Sequence, residues 1–429
     1  LSWKTKSSEN GTSQSSYQIL VASSESLLNE KDADLWNSGK VASSQSVLIP
    51  YGGIKLGSRS LCYWKVRVWD QNDKSSDWSE KVIFSIGLVN QSDWQAKYIG
   101  LPDEENYVTS PQLWKTFEIS KIPEKVFFHV NSLGYHEIWV NGRKAGENVL
   151  APAVSQFNKR SLTITYDITP LLGKGRNDIV IWLGQGWYSK GLPGVTGKGP
   201  VVRAQAEKLV DGNWQNLFIT DSSWTGRKSG YYTIGSWRAG DFGGELIDAS
   251  LLLENLSSGS LDKATWNQVI VSSLPSAIAA PQPVEGNKIM ETFSPESVTK
   301  LSDSVWLADM GKTLTGWFEI NFPPINQGQV IKLEYCDHLD KEGNFVNQGQ
   351  EDRFISSGRM NEVFCNKFNY HGFRYVKISN LAAEPQREKI KAHLIHTNFD
   401  MSSSFHCSDK DLNSIHDMIF YTLRCLSLG

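Results

Sequence analysis

Tyr63-Trp64-Lys65-Val66-Arg67-Val68-Trp69-Asp70 alternates in character along its whole length. Trp64, Val66 and Val68 share one side, and Tyr63, Lys65, Arg67 and Trp69 share the other. A period of two is the mark of a strand with one buried face. Working outward, Tyr17-Gln18-Ile19-Leu20-Val21-Ala22 and Gln45-Ser46-Val47-Leu48-Ile49 repeat the pattern between Gly, Asn and Ser turns. Short strands so spaced predict an antiparallel sandwich of immunoglobulin or fibronectin type over residues 1–88.

Beyond it the pattern persists. Lys125-Val126-Phe127-Phe128-His129-Val130, Tyr135-His136-Glu137-Ile138-Trp139-Val140 and Asn177-Asp178-Ile179-Val180-Ile181-Trp182 read as strands. Asn141-Gly142 is a hairpin signal, because both residues tolerate positive φ. So many strands predict a jelly roll over 93–270. The stretch Ser272 to Pro283, rich in Ser, Ala and Pro, reads as a surface linker. A third strand-rich block, 287–396, predicts a further β-sandwich, with Gly316-Trp317-Phe318-Glu319-Ile320 and Phe373-Arg374-Tyr375-Val376 among its strands. Over 400–429 the period changes. Ser408 with Asp411 predicts a capping box, and Leu412, Ile415, Ile419, Thr422 and Leu426 recur at helical spacing. That helix is expected to have nothing to pack against, as the first helix of a truncated helical domain.

Composition narrows the function. A net charge of −3 over 429 residues, without a Lys/Arg block, argues against nucleic acid as partner. Aromatic residues make up 11% of the chain, which favours sandwiches with aromatic binding surfaces over helical bundles. No apolar run is long enough for a membrane span. Cys62, Cys336, Cys365, Cys407 and Cys425 lack CxxC or Cys/His spacing, so they read as free thiols with no metal role.

Several segments in order resemble the N-terminal half of bacterial α-L-rhamnosidases, of glycoside hydrolase family 78 type. They are Tyr17–Ser24, Leu35-Trp36-Asn37-Ser38-Gly39, Tyr63–Asp70, Val140-Asn141-Gly142, Tyr166-Asp167-Ile168-Thr169-Pro170-Leu171, Leu183-Gly184-Gln185-Gly186-Trp187-Tyr188, Gly244-Glu245-Leu246-Ile247-Asp248-Ala249 and Tyr370-His371-Gly372-Phe373-Arg374-Tyr375. The resemblance implies a mainly β chain: fibronectin-like sandwich, carbohydrate-binding-module-like jelly roll and β-sandwich, then an (α/α)6 barrel of which only the first helix is present. It implies inverting hydrolysis of terminal α-L-rhamnose from oligosaccharides or glycosides by two carboxylates in that barrel, roughly 6.5 to 9.5 Å apart. The catalytic pair is therefore expected beyond Gly429, leaving this segment inactive alone and partnered with its own catalytic domain. It also implies a periplasmic or secreted location, with the cytoplasm as alternative.

Sugar binding is expected at Asn158, Trp187, Tyr188 and Glu245: aromatic rings stack on sugar C–H faces, and amides or carboxylates meet hydroxyls. No cofactor is required. The resembling modules hold calcium beside an acidic loop, but here Gln156 stands where an Asp is expected, which disfavours that ion. Asp241, Glu245 and Asp248, with Glu351-Asp352, read as loop carboxylates capping turns or pairing with Arg238 and Arg353; His371 reads as a turn residue and Arg374 as one half of an ion pair. Two rivals remain. A stand-alone carbohydrate-binding or adhesive array is disfavoured by the exposed face of the last helix, and a β-galactosidase-like hydrolase by the helix where a TIM barrel would open with a strand.

Overall fold

The structure, a computed structural model, describes residues 1–101, 108–188, 192–195, 199–253, 255–256, 261, 266–272, 278–401 and 403–428. The chain divides into two compact units, Leu1–Trp94 and Gln95–Gly429.

In the first unit the strand Leu61–Asp70 lies antiparallel between Gln14–Ala22 and Val82–Ser85, with Val66 opposite Ile19. Alternation sorts its side chains as expected. Cys62, Trp64 and Val66 enter a core with Tyr17, Ile19 and Val21, against which Leu1, Trp3, Tyr51 and Leu56 pack. On the other face, the charged ends of Lys65 and Arg67 lie over the Trp78 ring, 4.9 and 4.7 Å from its centroid, and the Arg67 guanidinium also donates to Gln18 Oε1.

The second unit is built on two sheets, of seven and fifteen strands among the described residues. One apolar layer separates them. Val126, Phe128, Val130, Val202 and Ala204 come from the smaller sheet, and Leu113, Ile138, Val140, Ile179 and Ile181 from the larger. Asn141 and Gly142 take φ of 51° and 77° and turn Tyr135–Val140 into Arg143–Lys144. The larger sheet does not stop at the expected boundary between the second and third blocks. Gly244–Asp248 pairs in parallel with Glu351–Ile355, Leu246 opposite Arg353, and the sheet continues through Val330–Cys336, His371–Ser379, Val305–Asn321 and Ile390–Thr397. Of the expected linker, residues 273–277 lie outside the described residues. Ile278–Pro281 is instead a strand, paired in parallel with Arg160–Asp167.

The helix Lys410–Leu426 is capped by Asp409, not Ser408: the Asp409 carboxylate accepts from the backbone N–H of Asp411 and Leu412. A carboxylate one residue closer to the helix serves the open N–H groups and favours the positive end of the helix dipole. Nor is the helix free. Tyr421, Cys425 and Leu428 pack on the sheet's apolar face, and Arg424 forms an ion pair with Glu291. The expected stripe faces away from that anchor, with exposures from 47% at Ile415 to 76% at Leu426.

Candidate carbohydrate-binding site

Where Gly244–Asp248 meets Glu351–Ile355, two carboxylates are buried side by side. Asp352 is wholly buried. Its Oδ1 accepts from Glu245 N at 2.5 Å; its Oδ2 accepts from Tyr335 Oη at 2.6 Å and Asn366 Nδ2 at 2.8 Å, and His371 Nε2 stands 3.0 Å away. His371 opens a strand rather than sitting in a turn, and its ring stacks on Tyr335, centroids 4.0 Å apart. Glu245, 2% exposed, accepts from the backbone N–H of Lys367 and Phe368, each at 2.8 Å. Burial, and next the Asp352 charge, push its pKa up to about 8, against the pull of those donors. Gly244 is needed here, because a Cβ at that position would lie 2.2 Å from Asp352 Oδ1.

Beside this pair, Glu137 takes the opposite shift. Burial raises it, but Lys367 and Lys144, at 3.0 and 2.8 Å, outweigh that and hold it at about 2. Lys367 also sits 4.5 Å over the Trp182 ring. The carboxylates of both clusters are buried, while Lys144 and Lys367 keep partial contact with solvent. The clusters fix the backbone of 366–372 instead of meeting a substrate.

What they fix is the wall of an open cavity of ≈ 240 Å³, lined by Trp237, Phe242, Gly243, Gln350, Asn369, Tyr370, His371 and Gly372. Trp237 is 47% exposed and lies in a turn with φ 55°, held by Ser236 N donating to Asp241 O at 2.9 Å and Ser236 Oγ donating to Asp241 Oδ2 at 2.6 Å. Its indole stands 4.8 Å from that of Trp187, 6.2 Å from the Tyr370 ring and 6.4 Å from Phe242. Gln350 stiffens the far wall, donating to Gly372 O at 3.1 Å and accepting from Gly372 N at 3.2 Å. A half-exposed aromatic surface rimmed by amides has the chemistry a pyranose ring requires.

Of the residues expected to bind sugar, Trp187 alone touches this surface, through Trp237; it is half-buried and does not line the cavity itself. Tyr188 is turned inward, 2% exposed, packed edge-on against Phe157. Asn158 is exposed on another loop, and Glu245 lies buried behind the cavity. Burial leaves Tyr188 and Glu245 no face to offer a sugar. In the loop Ala151–Arg160, Gln156 is exposed and its carbonyl accepts from Lys159 and Arg160 in a turn. The loop carries no carboxylate, so it does not fit calcium. Asp248 caps Ser250 and Glu351 pairs with Arg353 as expected, but Glu351 and Asp352 stand on a strand and not in a loop, and Asp352 turns into the buried network; Arg374 forms its expected ion pair, with Asp309, through two bonds of 2.8 and 2.9 Å. Sequence reasoning passed over Trp237, Phe242 and Tyr370. The only signal was a Gly-rich loop, Gly235-Ser236-Trp237-Arg238-Ala239-Gly240-Asp241-Phe242-Gly243, with two large aromatics where loops usually carry small polar residues.

Comparison with known proteins gives three matching family models. Residues 1–90 match a Rha78A-like N-terminal immunoglobulin domain, 121–291 an alpha-L-rhamnosidase N-terminal domain, and 299–396 a bacterial alpha-L-rhamnosidase concanavalin-like domain. An alpha-L-rhamnosidase of Formosa agariphila is 30% identical over 98% of this chain and 48% of its own length; one of Alteromonas sp. is 29% identical over 99% and 48%. The chain thus spans about half the length of the curated relatives it matches. Among solved structures, the alpha-L-rhamnosidase of Dictyoglumus thermophilum superposes with a TM-score of 0.88 at 27% identity, covering all of this chain and 50% of that one. The Streptomyces avermitilis enzyme, solved with L-rhamnose, shares the fold with a TM-score of 0.88 at 20% identity.

Proposed function

Because this chain belongs to the bacterial α-L-rhamnosidase family and carries its N-terminal β-domains, we propose that it is the supporting half of an inverting glycosidase. The whole protein removes terminal α-L-rhamnose from oligosaccharides or glycosides, and a helical catalytic domain supplies the acid and base carboxylates. The fibronectin-like, jelly-roll and second sandwich layers, with bounds near 1–88, 93–270 and 287–396, hold that domain in place. Periplasmic or secreted placement suits a substrate met outside the cell. Among the described residues no helix is long and apolar enough to cross a membrane.

One observation carries the reading. The last helix is anchored by Tyr421, Arg424 and Cys425, yet keeps Leu412, Ile415, Ile419 and Leu426 exposed in a row. A stripe of that kind on a finished surface costs solubility, and helix-on-helix packing is the ordinary way to cover it. The test is hydrolysis of a nitrophenyl α-L-rhamnoside. This chain should show none, whereas a longer protein carrying the helical domain should turn it over. Turnover by this chain alone overturns the proposal.

A second reading, a carbohydrate-binding array without enzyme activity, is favoured by the Trp187–Trp237 surface. Tight rhamnose binding together with an inactive full-length protein would establish it in place of the first.

A further inference from the structure

Three strands of the larger sheet bring together Glu319, Cys365 and His393, residues far apart in sequence. Glu319 lies directly opposite Cys365 on one neighbouring strand and Lys391 on the other, and His393 lies opposite Trp317, two residues before Glu319. Residues opposite one another, or two apart on one strand, point to the same face. All three side chains therefore converge. Their ligand atoms lie within 4.8 Å of one another, with Glu319 Oε2 and His393 Nε2 3.3 Å apart.

We propose that Glu319, Cys365 and His393 form a binding site for a single zinc ion. Bonds of about 2.3 Å to sulfur and 2.0 to 2.2 Å to nitrogen and oxygen put the donor atoms of a tetrahedral zinc site roughly 3.3 to 3.7 Å apart. The carboxylate and imidazole already have that spacing. The thiol, within 4.8 Å of both, must move in to close the other two edges.

The surroundings orient each donor. Thr292 Oγ1 lies 3.0 Å from His393 Nδ1, which leaves Nε2 to face the other two and lets the hydroxyl hold the ring's tautomer and orientation. Lys391 Nζ donates to Glu319 Oε1 at 3.0 Å, so Oε2 is the oxygen aimed at the imidazole and the carboxylate binds through one atom. Lys391 is 45% exposed and can turn to solvent, which limits its repulsion of the ion. A donor set of thiolate, imidazole and carboxylate suits zinc over calcium or magnesium, which prefer oxygen alone. Binding forms Zn–S, Zn–N and Zn–O bonds, releases the thiol proton to buffer and involves no electron transfer; water takes the fourth position. The site departs from the sequence expectation that the cysteines have no metal role, since three donors on three strands leave no spacing motif.

The test uses the whole chain, stripped with a chelator and reloaded with zinc or cobalt(II). The expected result is one equivalent of zinc retained through gel filtration, and a thiolate-to-cobalt charge-transfer band on cobalt loading. Cys365→Ser should abolish the band and His393→Gln should weaken zinc binding roughly tenfold or more, while Cys62→Ser, in the other unit, leaves both unchanged. Substoichiometric zinc in the unsubstituted chain, or a band that survives Cys365→Ser, overturns the proposal. The measurement on the unsubstituted chain decides even if a variant fails to fold.

Discussion

The indole of Trp237 lies 4.8 Å from that of Trp187, inclined at 58°; the first is exposed and the second half-buried. Trp187 packs against the apolar core, and Trp237 extends that packing into the cavity. The two rings divide the labour: the inner one fixes the angle of the outer one, and the outer one presents the face.

Trp237→Ala is therefore expected to weaken binding of L-rhamnose or a rhamnosyl oligosaccharide roughly tenfold while leaving the melting temperature nearly unchanged, because stacking on an exposed ring is lost without a core cavity. Trp187→Ala should lower both. Ligand titration by NMR alongside calorimetric melting separates these outcomes; equal binding in the Trp237 variant contradicts the assignment.

Asp352 is expected to be the costliest single acid to remove. Its carboxylate accepts from Glu245 N, Tyr335 Oη and Asn366 Nδ2 and contacts His371, all buried. Asp352→Ala strands those groups and should cost about 3 kcal/mol or more. Arg353→Ala, next in sequence but half exposed, should cost under about 1 kcal/mol. Urea unfolding of both variants checks the contrast.

Glu245 and Glu137 predict opposite pH dependences. The Glu245 value is raised from 4.5 to about 8, so the folded chain holds a proton there that the unfolded chain releases, and this contribution to stability is lost as pH rises from about 4.5 to 8. Glu137 is lowered from 4.5 to about 2, so its contribution, present above about 4.5, is lost as pH falls toward 2. Melting temperature followed against pH should fall on both sides of about 5. In Glu245→Gln the alkaline slope should shrink and the acid slope persist; an unchanged alkaline slope contradicts the shift.

The fold was legible where one side chain sets one face. Trp64 and Val66 point inward because alternation leaves no choice, and Asn141-Gly142 turns because few other pairs tolerate its φ values. The parallel pairing of Leu246 with Arg353 was not legible, since strands over a hundred residues apart carry no local sign of their neighbour. The same limit hid the cavity: Trp237 and Tyr370 meet only after that pairing, whereas Trp187 was found from its own Gly-rich turn. Glu245 looked available because a carboxylate in a glycine-rich loop reads as exposed, and its burial depends on backbone donors from Lys367 and Phe368.

The central claim is that the row Leu412, Ile415, Ile419 and Leu426 is the seat of a helical catalytic domain. It is tested most directly by placing Ile415→Glu with Ile419→Glu in a full-length protein and measuring its rhamnoside hydrolysis and melting temperature. In this chain alone the pair should leave melting unchanged, because both side chains already face water. In the full-length protein the account predicts a fall of several degrees and loss of most of the turnover; full stability and activity there would contradict it.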